Sequence, residues 1–519
     1  MAVEPAGFNT TMELVSAMTY SKAPEFVGMV AAIIGKVNFV RALANYYSKY
    51  AYSNATSDQW VAEMAAFQPD GVDLKKMANG WLKRTGYPTV TVEKRVGGVL
   101  SLRQGGFEDK PEGSNDPWIV PVAWSAVKAG KSVASGLWIL QEAAQDFTVT
   151  GCAEQDFDYV SVGCGWSFYG AVADESQTVP QRHLQAANDP DTVNRYLAFQ
   201  SVLDAEKARI VQSLRSGAGD GLISVSPSTV ALYGVALTDA SLDDAAKARF
   251  LAVGADAPSR PEIGHLYTHL ARARTAVLQA VGDEYEPRLS AEYARLAEDS
   301  TLSTRPLKHA VFAALRAARC EPRVLESRFG GEEEKRLEAG RESCRALILP
   351  LMESDHMSDR QFALVNLLEL GGPTAGAAKD KARAEWCGHS IGTEQYITAV
   401  AVADCPETIA NIRELVTEPF FKIELAGHSR TVCRAWCGNR RRALLTGDGL
   451  ELTKFLFSTV GKVNVMSVYG FLGTFGQVGL FEGAVRERLV EALEWMREEV
   501  KGEESLNNQL GRLIGGIKE

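Results

Sequence analysis

The sequence predicts a mainly α-helical protein with one small β-sandwich, in the order helices, sandwich, long helical array. Three observations carry that prediction. Apolar residues recur at helical spacing to about residue 85, alternate with period two from Thr89 to about Ala173, and return to helical spacing from about Glu175 onward. The first change of period falls at Gly86-Tyr87-Pro88, where glycine and proline stop a helix. The predicted segments are therefore 1–88, 89–173 and 174–519.

In the first segment Phe26, Val30, Ile33 and Ile34 lie at helical spacing, as do Phe39, Leu43, Tyr46 and Tyr47. Ser53-Asn54-Ala55-Thr56-Ser57-Asp58 is rich in helix-capping residues, so Gln59-Trp60 opens the next helix. Leu74, Met77, Ala78, Trp81 and Leu82 form a further apolar stripe. In the second segment Val90 and Val92, Val99-Leu100, Ile119 to Trp124, Leu137 to Leu140, Phe147 with Val149, and Tyr159-Val160 with Val162 read as short strands. Gly97-Gly98, Gly105-Gly106 and the stretch from Pro111 to Pro117 supply turn chemistry between them, which suits a small sandwich. In the third, Leu197–Leu214, Pro261–Val281, Leu307–Ala318, Gln361–Leu370 and Glu482–Val500 are helical patterns separated by turns. Stacked helix pairs, an α-superhelix, would bury such faces, and no fixed-period repeat is visible.

Composition narrows the function classes. Of 519 residues 46% are hydrophobic and 23% charged, with 65 acidic against 55 basic side chains and a net charge of −10, which excludes disorder as the dominant state and argues against a general nucleic-acid binder. No run reaches the roughly 18 consecutive apolar residues a membrane helix needs. Met1-Ala2-Val3-Glu4-Pro5 shows no basic region leading into an apolar one, so no secretory signal is expected. Eight cysteines without a CxxC pair point to a reducing compartment, the cytoplasm or an organelle interior.

Residue by residue, no complete active site assembles. There is no phosphate-binding loop, dinucleotide fingerprint or nucleophile elbow. His265 and His269 are four apart, a spacing that suits zinc on one helix face, but the position of the general-base carboxylate is Leu266 and that of a third ligand is Arg288. Cys433 and Cys437, near His428, fit small buried hydrophobes better than half a metal site. Cys387-Gly388-His389 sets a thiol beside a base too close in sequence to face it productively. Glu332-Glu333-Glu334-Lys335-Arg336 reads as a helix start, Arg440-Arg441-Arg442 as a helix flank, and Gly447–Leu452 around Asp448 as a turn.

A resemblance adds to this. Thr19-Tyr20-Ser21-Lys22, Asn54-Ala55-Thr56 with Asp58, Trp81, and Gly86-Tyr87-Pro88-Thr89-Val90-Thr91-Val92 resemble the zinc aminopeptidases of the aminopeptidase N family, with its Y-x-K-G segment and its later G-Y-P exit into a β-sandwich. Trp118-Ile119-Val120-Pro121 looks like that family's W-x-[IV]-P strand, and 186–203 resembles the opening of its superhelix. Gly438-Asn439 followed by Asp448-Gly449 falls at a similar spacing to the longer alanyl aminopeptidases. The resemblance implies the helical end of a catalytic lobe, then the sandwich, then an α-superhelical C-terminal domain. It places Tyr20 at the position of the catalytic tyrosine, whose phenol donates a hydrogen bond to the oxyanion that develops on the peptide carbonyl.

Departures accompany the match. The family's H-E-x-x-H zinc motif and G-x-M-E-N amine-binding motif occur nowhere in the 519 residues. Ala23 replaces the glycine after Lys22, and Pro24 is expected to alter how that helix begins. The family's C-terminal N-P-x-x-A-x-R aligns with Asn464 to Gly470, leaving glycine in place of arginine, while Arg430 and Arg434 lie near another arginine position.

Two functions follow from the resemblance. One is a non-catalytic aminopeptidase-like subunit of a larger assembly, binding protein partners and holding no zinc or other cofactor of its own. The other is the C-terminal part of a split zinc aminopeptidase, contributing Tyr20 and the substrate chamber for a peptide to a zinc-bearing companion chain. In the split enzyme an exposed interface is expected where the catalytic lobe would pack, with the apolar run Val27 to Ile34 as its candidate edge. Neither involves nucleic acid or a membrane span.

Overall fold

Helices alone occupy the start of the chain in a computed structural model that describes residues 2–7, 17–106, 116–216, 223–299, 301–322, 331–461, 463 and 465–518. Two compact units divide it, Met1–Val202 and Leu203–Glu519. In the first, α1 (Ala17–Ile34) and α2 (Lys36–Lys49) meet at an angle of 118°. Gly35 makes that corner at φ 79°, a conformation a side chain would resist. Helix α3 (Ser57–Ala65) opens on a capping box in which the Thr56 hydroxyl accepts from the Gln59 N–H and the Gln59 amide oxygen accepts from the Thr56 N–H, two residues earlier than the sequence suggests. Asp73 caps α4 (Leu74–Lys83), and Leu74, Met77, Ala78, Trp81 and Leu82 are all buried, as their spacing requires.

Seven strands follow: β1 (Pro88–Val96), β2 (Val99–Gly106), β3 (Val120–Lys128), β4 (Lys131–Leu140), β5 (Ala144–Thr148), β6 (Tyr159–Val162) and β7 (Ala171–Asp174). They form two sheets, ordered β5-β2-β1-β7 and β4-β3-β6, with antiparallel pairing except for β1 with β7. Every predicted strand lies in this array or beside it, and residues 111–115 of the expected Pro111–Pro117 turn lie outside the described residues. The four N-terminal helices and both sheets share one apolar core, running from Phe26 and Met64 through Trp81 to Val122, Trp124 and Phe168. Helices α5 (Val179–Asn188) and α6 (Thr192–Arg215) follow the last strand.

The second unit, in its described residues, forms helices and turns and no strand. It contains α7 (Pro227–Thr238), α8 (Asp244–Leu251), α9 (Tyr267–Glu298), α10 (Thr304–Cys320), α11 (Gly331–Ile348), α12 (Met357–Leu370), α13 (Pro373–Trp386) and α14 (Ser390–Val402). It continues through α15 (Thr408–Leu415), α16 (Ala426–Gly438), α17 (Arg440–Leu445), α18 (Gly447–Gly461), α19 (Val465–Thr474), α20 (Gly483–Glu499) and α21 (Glu504–Lys518). Two expectations change. The helix expected from Pro261 starts only at Tyr267, because Pro261–Ile263 is a single 3-10 turn. The turn expected around Asp448 is the first turn of α18: the Thr446 hydroxyl accepts from the Gly449 N–H, and Asp448 complements the helix dipole. Among the described residues no single helix is long and apolar enough to cross a membrane.

Candidate functional site

Tyr20 stands in the first described turn of α1 with 73% of its surface exposed. Its position is set two residues on. Lys22 is fully buried, and its ammonium donates to the carbonyls of Arg84 and Gly86, at 2.9 Å each. That ammonium lies 5.0 Å above the Trp118 ring and 5.8 Å from that of Trp81, within cation–π range. Burial, with the neighbouring Arg84 charge, pulls its pKa down to about 8. Trp81 donates from Nε1 to the Ile119 carbonyl at 2.9 Å and packs on Trp118 with ring centroids 4.7 Å apart. The tyrosine-bearing helix is thus pinned to the chain's exit from α4 and to the strand that enters the sandwich. Sequence reasoning placed Lys22 in a motif but missed this burial, since an isolated lysine reads as surface.

Pro24 does not reset the helix start. Helix α1 is already formed at Ala17 and carries Pro24 inside it. Lacking an N–H, Pro24 cannot give Tyr20's carbonyl its i+4 hydrogen bond. Beside α1 lies a cleft of about 360 Å³, whose lining includes Glu25, Met29, Ala123, Leu137, Cys164 and Trp166. Trp166 is half exposed and holds φ 55°, an uncommon left-handed conformation for a side-chain-bearing residue. Its loop is tied down by Asp191, which accepts from the Gly165 N–H at 2.7 Å. The Cys164 thiol is pushed up to about 12 by burial, so it is not a nucleophile at neutral pH.

The proposed interface edge also shifts. In the run Val27 to Ile34, Met29, Val30 and Ile34 are buried in the core. The exposed apolar side chains of this region are Tyr20, Val27, Val37, Val40, Tyr47 and Tyr52. Most of that surface belongs to α2 and the turn after it, because α1 turns its apolar face inward.

The remaining candidates separate. His269 lies on α9, whereas His265 precedes that helix and packs edge-on against Phe481 at 5.3 Å, so the two do not share a helix face. Burial, with Arg215 close to both, lowers both imidazole pKa values. His389 is the N-cap of α14, its Nδ1 accepting from the Gly392 N–H at 3.1 Å. Burial raises the Cys387 thiol to about 11. Cys433 and Cys437 are buried and their thiols raised by burial, while His428 Nδ1 accepts from the Lys422 N–H. Arg441 and Arg442 both pair with Asp404 at the start of α17, and Glu332 to Glu334 form the first turn of α11. Arg430 and Arg434 are exposed on α16, Gly470 lies on α19, and Asn464 is outside the described residues. Among the described residues no group of three His, Cys, Asp or Glu side chains is placed to hold a metal.

The helices, the sandwich entered through Gly86-Tyr87-Pro88 and the helical array after it share the fold of a solved aminopeptidase. The match extends over 99% of this chain and 59% of the solved Legionella pneumophila aminopeptidase A in complex with aspartic acid, with TM-score 0.79 at 16% identity. Residues 180–501 match the family model described as "Domain of unknown function (DUF3458_C) ARM repeats", and the chain belongs to that family. The repeats were not visible as a sequence period, because helices of 6 to 32 residues keep stacking geometry without keeping spacing. Aminopeptidase M1 of Arabidopsis thaliana is 28% identical over 200 residues, 36% of this chain and 22% of the plant protein. The puromycin-sensitive aminopeptidase of Caenorhabditis elegans is 28% identical over 223 residues, 40% of this chain and 23% of the worm protein. The matched stretches thus span less than a quarter of these relatives, and the chain corresponds to the C-terminal portion of an aminopeptidase N-like protein.

Proposed function

We propose that this chain is a non-catalytic aminopeptidase-N-like protein that acts as an interaction subunit of a larger assembly, with no zinc site or cofactor of its own. The observation that carries the reading is the exposed apolar set Val37, Val40 and Tyr47 on α2, with Tyr52 in the turn after it. Exposed apolar side chains gathered in one region favour a protein partner.

A second reading rests on Tyr20 itself. An exposed phenol on a helix pinned through Lys22 is a preplaced, neutral hydrogen-bond donor. In a split aminopeptidase it would serve an oxygen of a peptide substrate held by a zinc-bearing companion chain.

One preparation separates the two. The chain is purified with its native partners and again alone, and zinc content and aminopeptidase activity are measured on both. Metal-free, inactive material in both supports the interaction subunit. Zinc and activity only with the partner support the split enzyme, in which Tyr20→Phe then lowers the activity by about 10²–10³-fold. Stoichiometric zinc with activity in the isolated chain overturns both.

A further inference from the structure

The contact between α11 and the C-terminal end of α10 holds two thiols that neither function uses. Cys320 is the last residue of α10 and Cys344 lies in α11; both are buried, and the Cys320 S–H donates to Cys344 Sγ at 3.5 Å. The two helices are held together on both sides of that contact. At Gly340, one turn before Cys344, a Cβ would stand 2.0 Å from the Arg319 carbonyl oxygen, so only glycine permits the crossing. Arg336 of α11 donates to the carbonyls of Ala318 at 3.3 Å and Glu321 at 3.0 Å, capping the end of α10. Arg319 of α10 bonds Ser343 of α11 at 3.2 Å and both Glu286 and Ser290 of α9. The backbones on either side of the sulfurs are therefore fixed and close.

We propose that Cys320 and Cys344 form an oxidation-sensitive pair that closes to a disulfide when a hydroperoxide reaches it. The sulfurs must approach from 3.5 Å to about 2.0 Å to bond. The shared hydrogen bond, reinforced by Arg319 and Arg316, holds the Cys344 thiol below its ordinary range against the effect of burial, while donating that bond raises Cys320. Cys344 is accordingly the attacking sulfur. Its Sγ attacks one peroxide oxygen, the O–O bond breaks, and an S–O bond forms as a sulfenic acid. The second oxygen leaves with the thiol proton, as water from hydrogen peroxide and as an alcohol from an organic hydroperoxide. Cys320 Sγ then attacks Cys344 Sγ: the S–S bond forms, the S–O bond breaks, and hydroxide leaves with the Cys320 proton as water. The two sulfurs give two electrons to the peroxide, and a dithiol reductant returns them.

The test uses the full chain and hydrogen peroxide. Remaining thiols are alkylated under denaturing conditions without reductant, and the digest is mapped by mass spectrometry. The expected result is a linked peptide pair containing Cys320 and Cys344, enriched at least about tenfold over untreated protein and abolished by dithiothreitol. Cys344→Ser and Cys320→Ser each remove that pair while Cys433 and Cys437 remain alkylated. If either variant fails to fold, the wild-type map still decides. Alkylation of both residues after peroxide, a sulfinic acid at Cys344 without the linked pair, or equal linkage of Cys320 to other cysteines overturns the proposal.

Discussion

Replacing Lys22 with methionine tests whether the buried ammonium is what fixes the tyrosine-bearing helix. Methionine keeps most of the volume and the flexible stem but leaves the Arg84 and Gly86 carbonyls without their donor. Hydrogen bonds from a charged donor contribute about 1.5–3 kcal/mol each, and stranding a buried acceptor costs about 1–3 kcal/mol. The cation–π contact with Trp118 adds about 1 kcal/mol. Against these stands the cost of burying a charge, which is what draws the Lys22 pKa from 10.5 to about 8. The net expectation for Lys22→Met near neutral pH is a loss of about 2–4 kcal/mol, read as a lower urea midpoint with an unchanged slope. The pH dependence gives a second check. Between about pH 8 and 10.5 the folded chain has released the Lys22 proton while the unfolded chain still holds it, so wild-type stability rises through that window and its lead over Lys22→Met widens. A gap below about 1 kcal/mol near pH 7 would refute the anchoring role. A lead that narrows between about pH 8 and pH 10 would show instead that burial does not lower the Lys22 pKa.

Three further outcomes are expected. Gly340→Ala sets a methyl 2.0 Å from the Arg319 carbonyl and should cost about 1–3 kcal/mol in urea unfolding. Burial raises the Asp404 carboxyl, but hydrogen bonds from Arg442 and Arg441 outweigh it and hold it below the usual range. Wild type should therefore be more stable than Asp404→Asn by about 1 kcal/mol at neutral pH, with the difference disappearing as acid titration passes through and below the carboxylate range. Val40→Asp combined with Tyr47→Ser should leave the urea midpoint within about 0.5 kcal/mol of wild type, because both side chains are exposed, yet reduce recovery of the native partner on co-purification.

The strands and the N-terminal helices were legible because burial on one face imprints a period. Val90, Val92 and Val122 alternate into the shared core, and the stripe from Leu74 to Leu82 is buried at every apolar position. What the sequence hid depends on the third dimension. Gly447 and Gly449 look like turn residues, but Gly449 serves helix packing: a Cβ there would meet the Arg442 carbonyl oxygen at 1.9 Å. Val27 to Ile34 reads as a sticky edge until α1 is seen to face it inward, and the exposed surface passes to α2. The Cys320–Cys344 contact joins residues on separate helices, and nothing in the spacing announces it.

The site is legible as a motif and illegible as a mechanism for the same reason. Tyr20, Lys22, Trp81 and Gly86 could be matched in sequence because they belong to one mechanical unit. Lys22 ties α1 to the carbonyl of Gly86, Trp81 ties α4 to Ile119, and both tie to Trp118 at the entrance of the sandwich. The helices and the sheets share a core, so neither can loosen without the other, and Tyr20 inherits its position from the whole unit. That rigidity is independent of any metal. It serves a catalytic tyrosine, which must meet an oxygen within a fraction of an ångström, and it equally serves a binding face, which loses less entropy on docking when its helices are already fixed. The anchor therefore explains why Tyr20 is presented, and the chemistry of whatever meets α1 and α2 decides what it is presented for.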